Sequence, residues 1–123
     1  MSKYKIAIVE DDGVIRQMYQ MKFEQEGFDV KVAANGKDGV ALVAEMKPDI
    51  ILLDLHMPEM NGVEALQEIR KKDWGKNIPV IVLTNLGEEE SPKSLRSLGI
   101  YSYILKADYT PRQVVSKVKE ALA

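Results

Sequence analysis

Apolar and polar positions along the chain follow two different periods. Short unbroken apolar runs recur, and each is followed by a longer stretch whose apolar residues return every three or four positions. The first run predicts a strand near Lys5 to Val9. A helix is expected from about Gly13 to Glu26, stopped by Gly27, with Val14, Ile15, Met18 and Met21 on its inner side. A short strand around Val30 to Ala33 precedes Asn35. That residue is a suitable N-cap for a helix carrying Val40, Leu42, Val43 and Met46 and ending at Pro48.

The central run, Ile50 to Asp54, leads through a Pro58 to Gly62 loop into a helix of roughly Gly62 to Lys72, with Val63, Leu66 and Ile69 at helical spacing. Pro79 precedes a strand from Val80 to Thr84. Ser91-Pro92 has the chemistry of an N-cap and first helical residue, but Gly99 follows so soon after Leu98 that this helix is short. The last strand is read as Tyr101 to Leu105. Thr110 and Gln113 have capping-box spacing ahead of a final helix with Val115, Val118 and Leu122 inward.

Strands and helices thus alternate five times without a linker or repeat. That order predicts a doubly wound α/β fold, a parallel sheet with helices on both faces, because each right-handed crossover needs its own helix. A closed eight-fold barrel would need roughly twice the length. The strand order 2-1-3-4-5 is the common small solution, and it sets the first and third strands side by side.

Two acidic strand ends then meet in one crevice. Glu10-Asp11-Asp12 follows the first run, and Asp54 closes the third. The carboxyl ends of strands are where open α/β sheets place their chemistry. The remaining composition narrows the chemistry by exclusion. With 123 residues, a single domain over 1–123 is expected. A formal net charge of -2 provides no basic field for direct binding of nucleic acid. The absence of cysteine excludes disulfides, thiolate metal sites and cysteine nucleophiles. No stretch approaches a signal-peptide core or a membrane span, so a cytoplasmic location is expected.

With these residues in place, the chain resembles the receiver domain of two-component response regulators, including the single-domain chemotaxis-type members. The resemblance runs from Ile6 to Leu122 and rests on Glu10-Asp11, Asp54, the Met57-Pro58 to Asn61-Gly62 turn, Thr84 and Lys106, each at a strand end or just beyond one. It implies a flavodoxin-like (βα)5 fold and a phosphorylation-dependent switch. By position, Asp54 would be the nucleophile that accepts a phosphoryl group. Asp11 and Asp54 would ligate Mg²⁺, with Glu10 acting through a bound water and the His56 backbone carbonyl as a further ligand. Thr84 and Lys106 would contact the phosphoryl oxygens, and Thr84 and Tyr103 would be the switch residues. The implied partners are a histidine kinase or phosphotransfer protein and a downstream protein target, with no nucleic acid or membrane. A monomer is expected, with a phosphorylation-linked dimer as the alternative. The chain departs from the family pattern at Ala107, where proline is usual, and at Asn85, where a small residue is common. His56 and Leu86 stand where the family tunes the lifetime of the phosphorylated state.

Plainer readings stand beside these. The acidic triplet could merely cap the first helix, and Thr84 and Lys106 taken singly are undistinguished. His56, the only histidine, is expected to face solvent. Tyr103 could be a half-buried edge-strand aromatic. The methionines other than Met1 and Met60 are expected to fill the core, Glu88-Glu89-Glu90 to serve a helix dipole, and Trp74 to lie in a loop. The functional alternatives are a pseudo-receiver that binds partners without phosphorylation, and a small aspartyl-phosphate phosphatase. The second is disfavoured by His56 at the place of a second catalytic carboxylate.

Overall fold

The computed structural model describes residues 3–85 and 93–123. The expected caps Ser91 and Pro92, the Glu88-Glu89-Glu90 run and Leu86 lie outside the described residues. Five parallel strands, β1 (Lys5–Val9), β2 (Asp29–Ala33), β3 (Ile50–Leu53), β4 (Val80–Thr84) and β5 (Ser102–Leu105), form one sheet in the order β2-β1-β3-β4-β5. They alternate with helices α1 (Gly13–Gln25), α2 (Gly36–Met46), α3 (Gly62–Arg70), α4 (Ser94–Ser97) and α5 (Pro111–Leu122). The doubly wound arrangement is as expected from the alternation, and the flavodoxin-like fold with this strand order is the one the resemblance implies.

The sheet is covered on both faces, which is why its strands are apolar at consecutive positions rather than alternate ones. Ile6, Ile8, Ile50, Leu52, Ile81, Leu83 and Ile104 face α1 and α5, where they meet Tyr19, Phe23, Val114, Val115 and Val118. The intervening residues Ala7, Val9, Ile51, Leu53, Val80 and Val82 face α2, α3 and α4, where they meet Val43, Val63, Leu66, Ile69 and Leu95.

Local signals explain most boundaries. Asn35 accepts from the Asp38 N–H at 2.7 Å, and Asn61 and Glu64 form a capping box at the start of α3. The Thr110–Gln113 box opens α5 as its spacing predicts. Gly27 takes φ 91° in the tight turn after α1, a backbone region that side chains with a Cβ rarely adopt. At the opposite end of α3, the Arg70 guanidinium donates to the carbonyls of Leu98 (2.8 Å), Gly75 (2.7 Å), Ile78 (2.8 Å) and Gly99 (3.2 Å). Burial pulls its pKa below the usual arginine value.

Three expectations are corrected. The inner face of α1 is Ile15, Tyr19 and Phe23, whereas Val14, Met18 and Met21 are 80%, 39% and 53% exposed. Both triads have helical spacing. The aromatic one wins because Phe23 meets Phe28 edge-on with ring centroids 5.2 Å apart and buries the larger apolar surface. Nor do the methionines fill the core: Met18 and Met21 are exposed, and Met46 and Met57 are only partly buried, packed against the α2–α3–α4 side of it. Trp74 is not a bare loop residue. It lies on a one-turn 3-10 helix, Asp73–Gly75, and packs half-buried against the α2–α3–α4 side of the core.

Candidate functional site

Strand register builds the site. Val9 of β1 pairs with Leu53 of β3, so the next residues, Glu10 and Asp54, emerge side by side. Thr84 of β4 pairs with Leu105 of β5, which sets Lys106 one step beyond Thr84 at the same edge. The acidic loop is fixed in turn. The Glu10 N–H donates to the Ala33 carbonyl at 3.0 Å, and the Asp54 N–H donates to the Val9 carbonyl at 3.0 Å. Asp12 is the N-cap of α1, accepting from the Val14 and Ile15 N–H groups at 2.9 and 3.0 Å.

Glu10, Asp54 and Thr84 are buried, while Asp11 is exposed. Glu10, Asp11 and Asp54 each offer a carboxylate oxygen within 4.8 Å of the other two, and no other cluster of this kind occurs among the described residues. Lys106 reaches into the group with its side chain only 14% exposed, its Nζ 2.7 Å from Glu10 Oε1 and 3.4 Å from Asp54 Oδ2. The Asp12 N–H donates to Glu10 Oε2 at 3.1 Å, and the His56 N–H to Asp54 Oδ1 at 3.4 Å.

The electrostatics follow from burial. Desolvation pushes the Glu10 carboxyl up to about 7, opposed by its bonds to Lys106 and the Asp12 N–H and assisted by the charge of Asp54. For Lys106, burial acts downward but is outweighed by the Glu10 hydrogen bond and the Asp54 and Glu10 charges, so its pKa is raised. Burial and the Glu10 charge also raise Tyr19 on α1, which lies below the acidic edge.

The donor set fits a hard divalent cation. Glu10, Asp11 and Asp54 offer only oxygen ligands, all within 4.8 Å of one another, the kind of set that a hard cation such as Mg²⁺ takes. Soft metals are not suited to an all-oxygen set.

The structure therefore brings together Glu10, Asp11, Asp54, Thr84 and Lys106 at one sheet edge. His56 is exposed, as expected. Tyr103 is half-buried on the edge strand β5 against the α2–α3–α4 core. No cis peptide occurs among the described residues, so the Lys106–Ala107 bond is trans. Sequence reasoning missed two things. One is the direct Lys106–Glu10 contact, shorter than the one to Asp54. The other is Arg16, whose Nη1 donates to the Glu10 and Asp11 carbonyls at 3.0 and 3.3 Å. The signal for Arg16 was a cation in the first turns of a helix, an unfavourable place for one.

Comparison with known proteins agrees with this arrangement. The family model of the response regulator receiver domain matches residues 6–119. The chain is 39% identical over 118 residues to the transcriptional regulatory protein ResD of Bacillus subtilis (strain 168), covering 96% of this chain and 48% of that protein. It is 33% identical over 117 residues to the phosphate regulon transcriptional regulatory protein PhoB of Pseudomonas aeruginosa, covering 95% of this chain and 51% of that one. The chain thus spans about half the length of these relatives. Among solved structures, a CheY-like response regulator receiver domain protein from Methanospirillum hungatei superposes with a TM-score of 0.88 at 32% identity, covering 98% of this chain and 94% of that one. The chemotaxis response regulator CheY4 of Vibrio cholerae also gives 0.88, at 25% identity, over 97% and 98% of the two chains. The five-stranded sheet, its acidic edge and these matches together place the chain in the response regulator receiver domain family.

Proposed function

We propose that this receiver works as a phosphorylation-dependent switch in which Asp54 accepts a phosphoryl group. The observation that carries the reading is the convergence of Asp54 with a second buried carboxylate, an exposed Asp11 and the Lys106 ammonium. An Asp54 carboxylate oxygen attacks phosphorus. A new P–O bond forms while the bond to the donor breaks, and its electron pair leaves with the donor. Negative charge accumulates at the transferred group, and catalysis of such a step is mainly positioning and charge stabilisation. Lys106 supplies a fixed positive charge, and Thr84 offers its hydroxyl to a phosphoryl oxygen. Glu10, Asp11, Asp54 and the His56 carbonyl are the groups to hold Mg²⁺, which when bound supplies the cation that orients the phosphoryl oxygens and offsets their charge.

The switch follows from differential contact. A phosphoryl group on Asp54 attracts Thr84 and Lys106 differently from a bare carboxylate, so it shifts the balance between two arrangements of Thr84, Tyr103 and the face formed by α4, β5 and α5. The phosphodonor is a histidine kinase or phosphotransfer protein, the output is a protein target, and the compartment is the cytoplasm. Catalysis is confined to the chain's own phosphorylation and slow dephosphorylation. Among the described residues no helix is long and apolar enough to cross a membrane.

Incubation with Mg²⁺ and acetyl phosphate, followed by intact mass measurement, tests the proposal. One phosphoryl adduct on the native chain, absent from Asp54→Ala, is expected. No adduct on the native chain, and no beryllofluoride bound there either, would replace this reading with the pseudo-receiver.

A further inference from the structure

Arg16 contacts the acidic loop but has no part in the proposed chemistry. It stands in the second turn of α1, whose amino end carries partial positive charge and disfavours a cation. Its side chain does not extend into solvent. It folds back toward the loop, half-buried, and Nη1 donates to the carbonyls of Glu10 and Asp11 at once. Nη2 comes to 3.6 Å of the point where a Cβ on Gly13 would lie, so the guanidinium rests over the start of its own helix.

Those two carbonyls belong to the peptide planes that flank Asp11. The Glu10 side chain is held independently by Lys106 and the Asp12 N–H. Asp11 is exposed, and its side chain is the cluster member with least support from surrounding protein. Its direction is therefore set by the backbone on either side, and Arg16 is the side chain that holds both flanking carbonyls, beside the Ala33 and Asp12 bonds that secure the loop ends. Lysine, a point charge on a flexible stem, provides the charge but not the planar fork.

We propose that Arg16 is a positioning residue for divalent-cation binding, orienting Asp11 through the Glu10 and Asp11 carbonyls. The inference rests on the receiver reading of the acidic edge. Titration of the full chain with MgCl₂ by calorimetry tests it, using the native protein, Arg16→Met, Arg16→Lys and, as a charge control on the same helix, Lys22→Gln. Groups that orient ligands typically contribute 10- to 100-fold to metal affinity, so Arg16→Met is expected to weaken Mg²⁺ binding about tenfold. Arg16→Lys should remain several-fold weak, and Lys22→Gln should match the native chain. At saturating Mg²⁺ the rate of phosphorylation from acetyl phosphate should return to within about twofold of native in all variants, since the loss lies in metal affinity and not in the transfer step. Native-like affinity in Arg16→Met overturns the proposal, and so does equal weakening in Lys22→Gln. If Arg16→Met does not fold, Arg16→Lys decides the matter, because native affinity in it overturns the role of the fork. A native chain that takes up no Mg²⁺ at all overturns the receiver reading and this inference together, a result distinct from the other two.

Discussion

Replacing Glu10 by glutamine should change how stability depends on pH, and the structure gives the size of the effect. Glu10 is buried among Asp54, Lys106, Asp11, the Asp12 N–H and Tyr19, and burial is the largest influence on it. Its carboxyl keeps its proton up to about 7, against 4.5 for an ordinary glutamate. The folded state therefore binds this proton more tightly than the unfolded chain does. The resulting stabilisation is complete below pH 4.5 and is lost as the pH rises through about 7. At about 1.4 kcal/mol per pH unit, that interval corresponds to about 3 kcal/mol. It is an upper value, since the Lys106 side chain that faces Glu10 keeps 14% of its surface in water. Lys106, with its pKa raised, stays charged throughout the window and adds no slope of its own.

The assay is urea unfolding in EDTA between pH 4.5 and 7.5. The Glu10→Gln variant should gain on the native chain across that range, by up to about 3 kcal/mol. Excess Mg²⁺ should shrink the gain, because a bound cation takes the place of the Glu10 proton and stabilises the native chain. Parallel stability profiles for the two proteins without metal would refute the reasoning, since Glu10 would then titrate alike in folded and unfolded chains.

Other expectations follow from packing and from the metal site. Phe23→Ala should cost about 3–5 kcal/mol, whereas Val14→Ser on the same helix should stay within about 0.5 kcal/mol, and chemical denaturation of both variants checks which face of α1 is buried. A Cβ at Gly62 would lie 2.2 Å from the Asp54 carbonyl oxygen. Gly62→Ala should therefore destabilise by about 1–3 kcal/mol and also reduce phosphoryl uptake, read by melting temperature and intact mass. Millimolar Mg²⁺ should raise the native melting temperature and leave that of Asp54→Ala less affected. Equal shifts in the two proteins would place the cation elsewhere.

Much of this was legible in the sequence because strands buried on both faces are read directly as apolar runs. A carboxylate or hydroxyl that ends such a run must lie at the sheet edge, so the places of Glu10, Asp54 and Thr84 follow from the apolar runs alone. The register then brought them together without further information. The inner face of α1 was not legible, since Val14-Met18-Met21 and Ile15-Tyr19-Phe23 share the same period. Packing of Tyr19 and Phe23 into the core shared with the sheet and α5, a tertiary fact, decides between them. The Lys106–Glu10 contact and the back-folded Arg16 depend on side-chain paths that no spacing rule reports.

Arg70 gives the molecule a second cationic centre of a different kind. Lys106 sits between the Glu10 and Asp54 carboxylates, so its surroundings change charge as Glu10 takes up or releases its proton at the carboxyl edge of the sheet. Arg70, near the amino edge, is surrounded by carbonyls of Gly75, Ile78, Leu98 and Gly99, none of which can titrate. Its grip joins the end of α3 to the approach to β4 and to the turn after α4, and it is as firm at pH 5 as at pH 8. The turn after α4 is thus tied to the end of α3 by contacts that no proton can loosen.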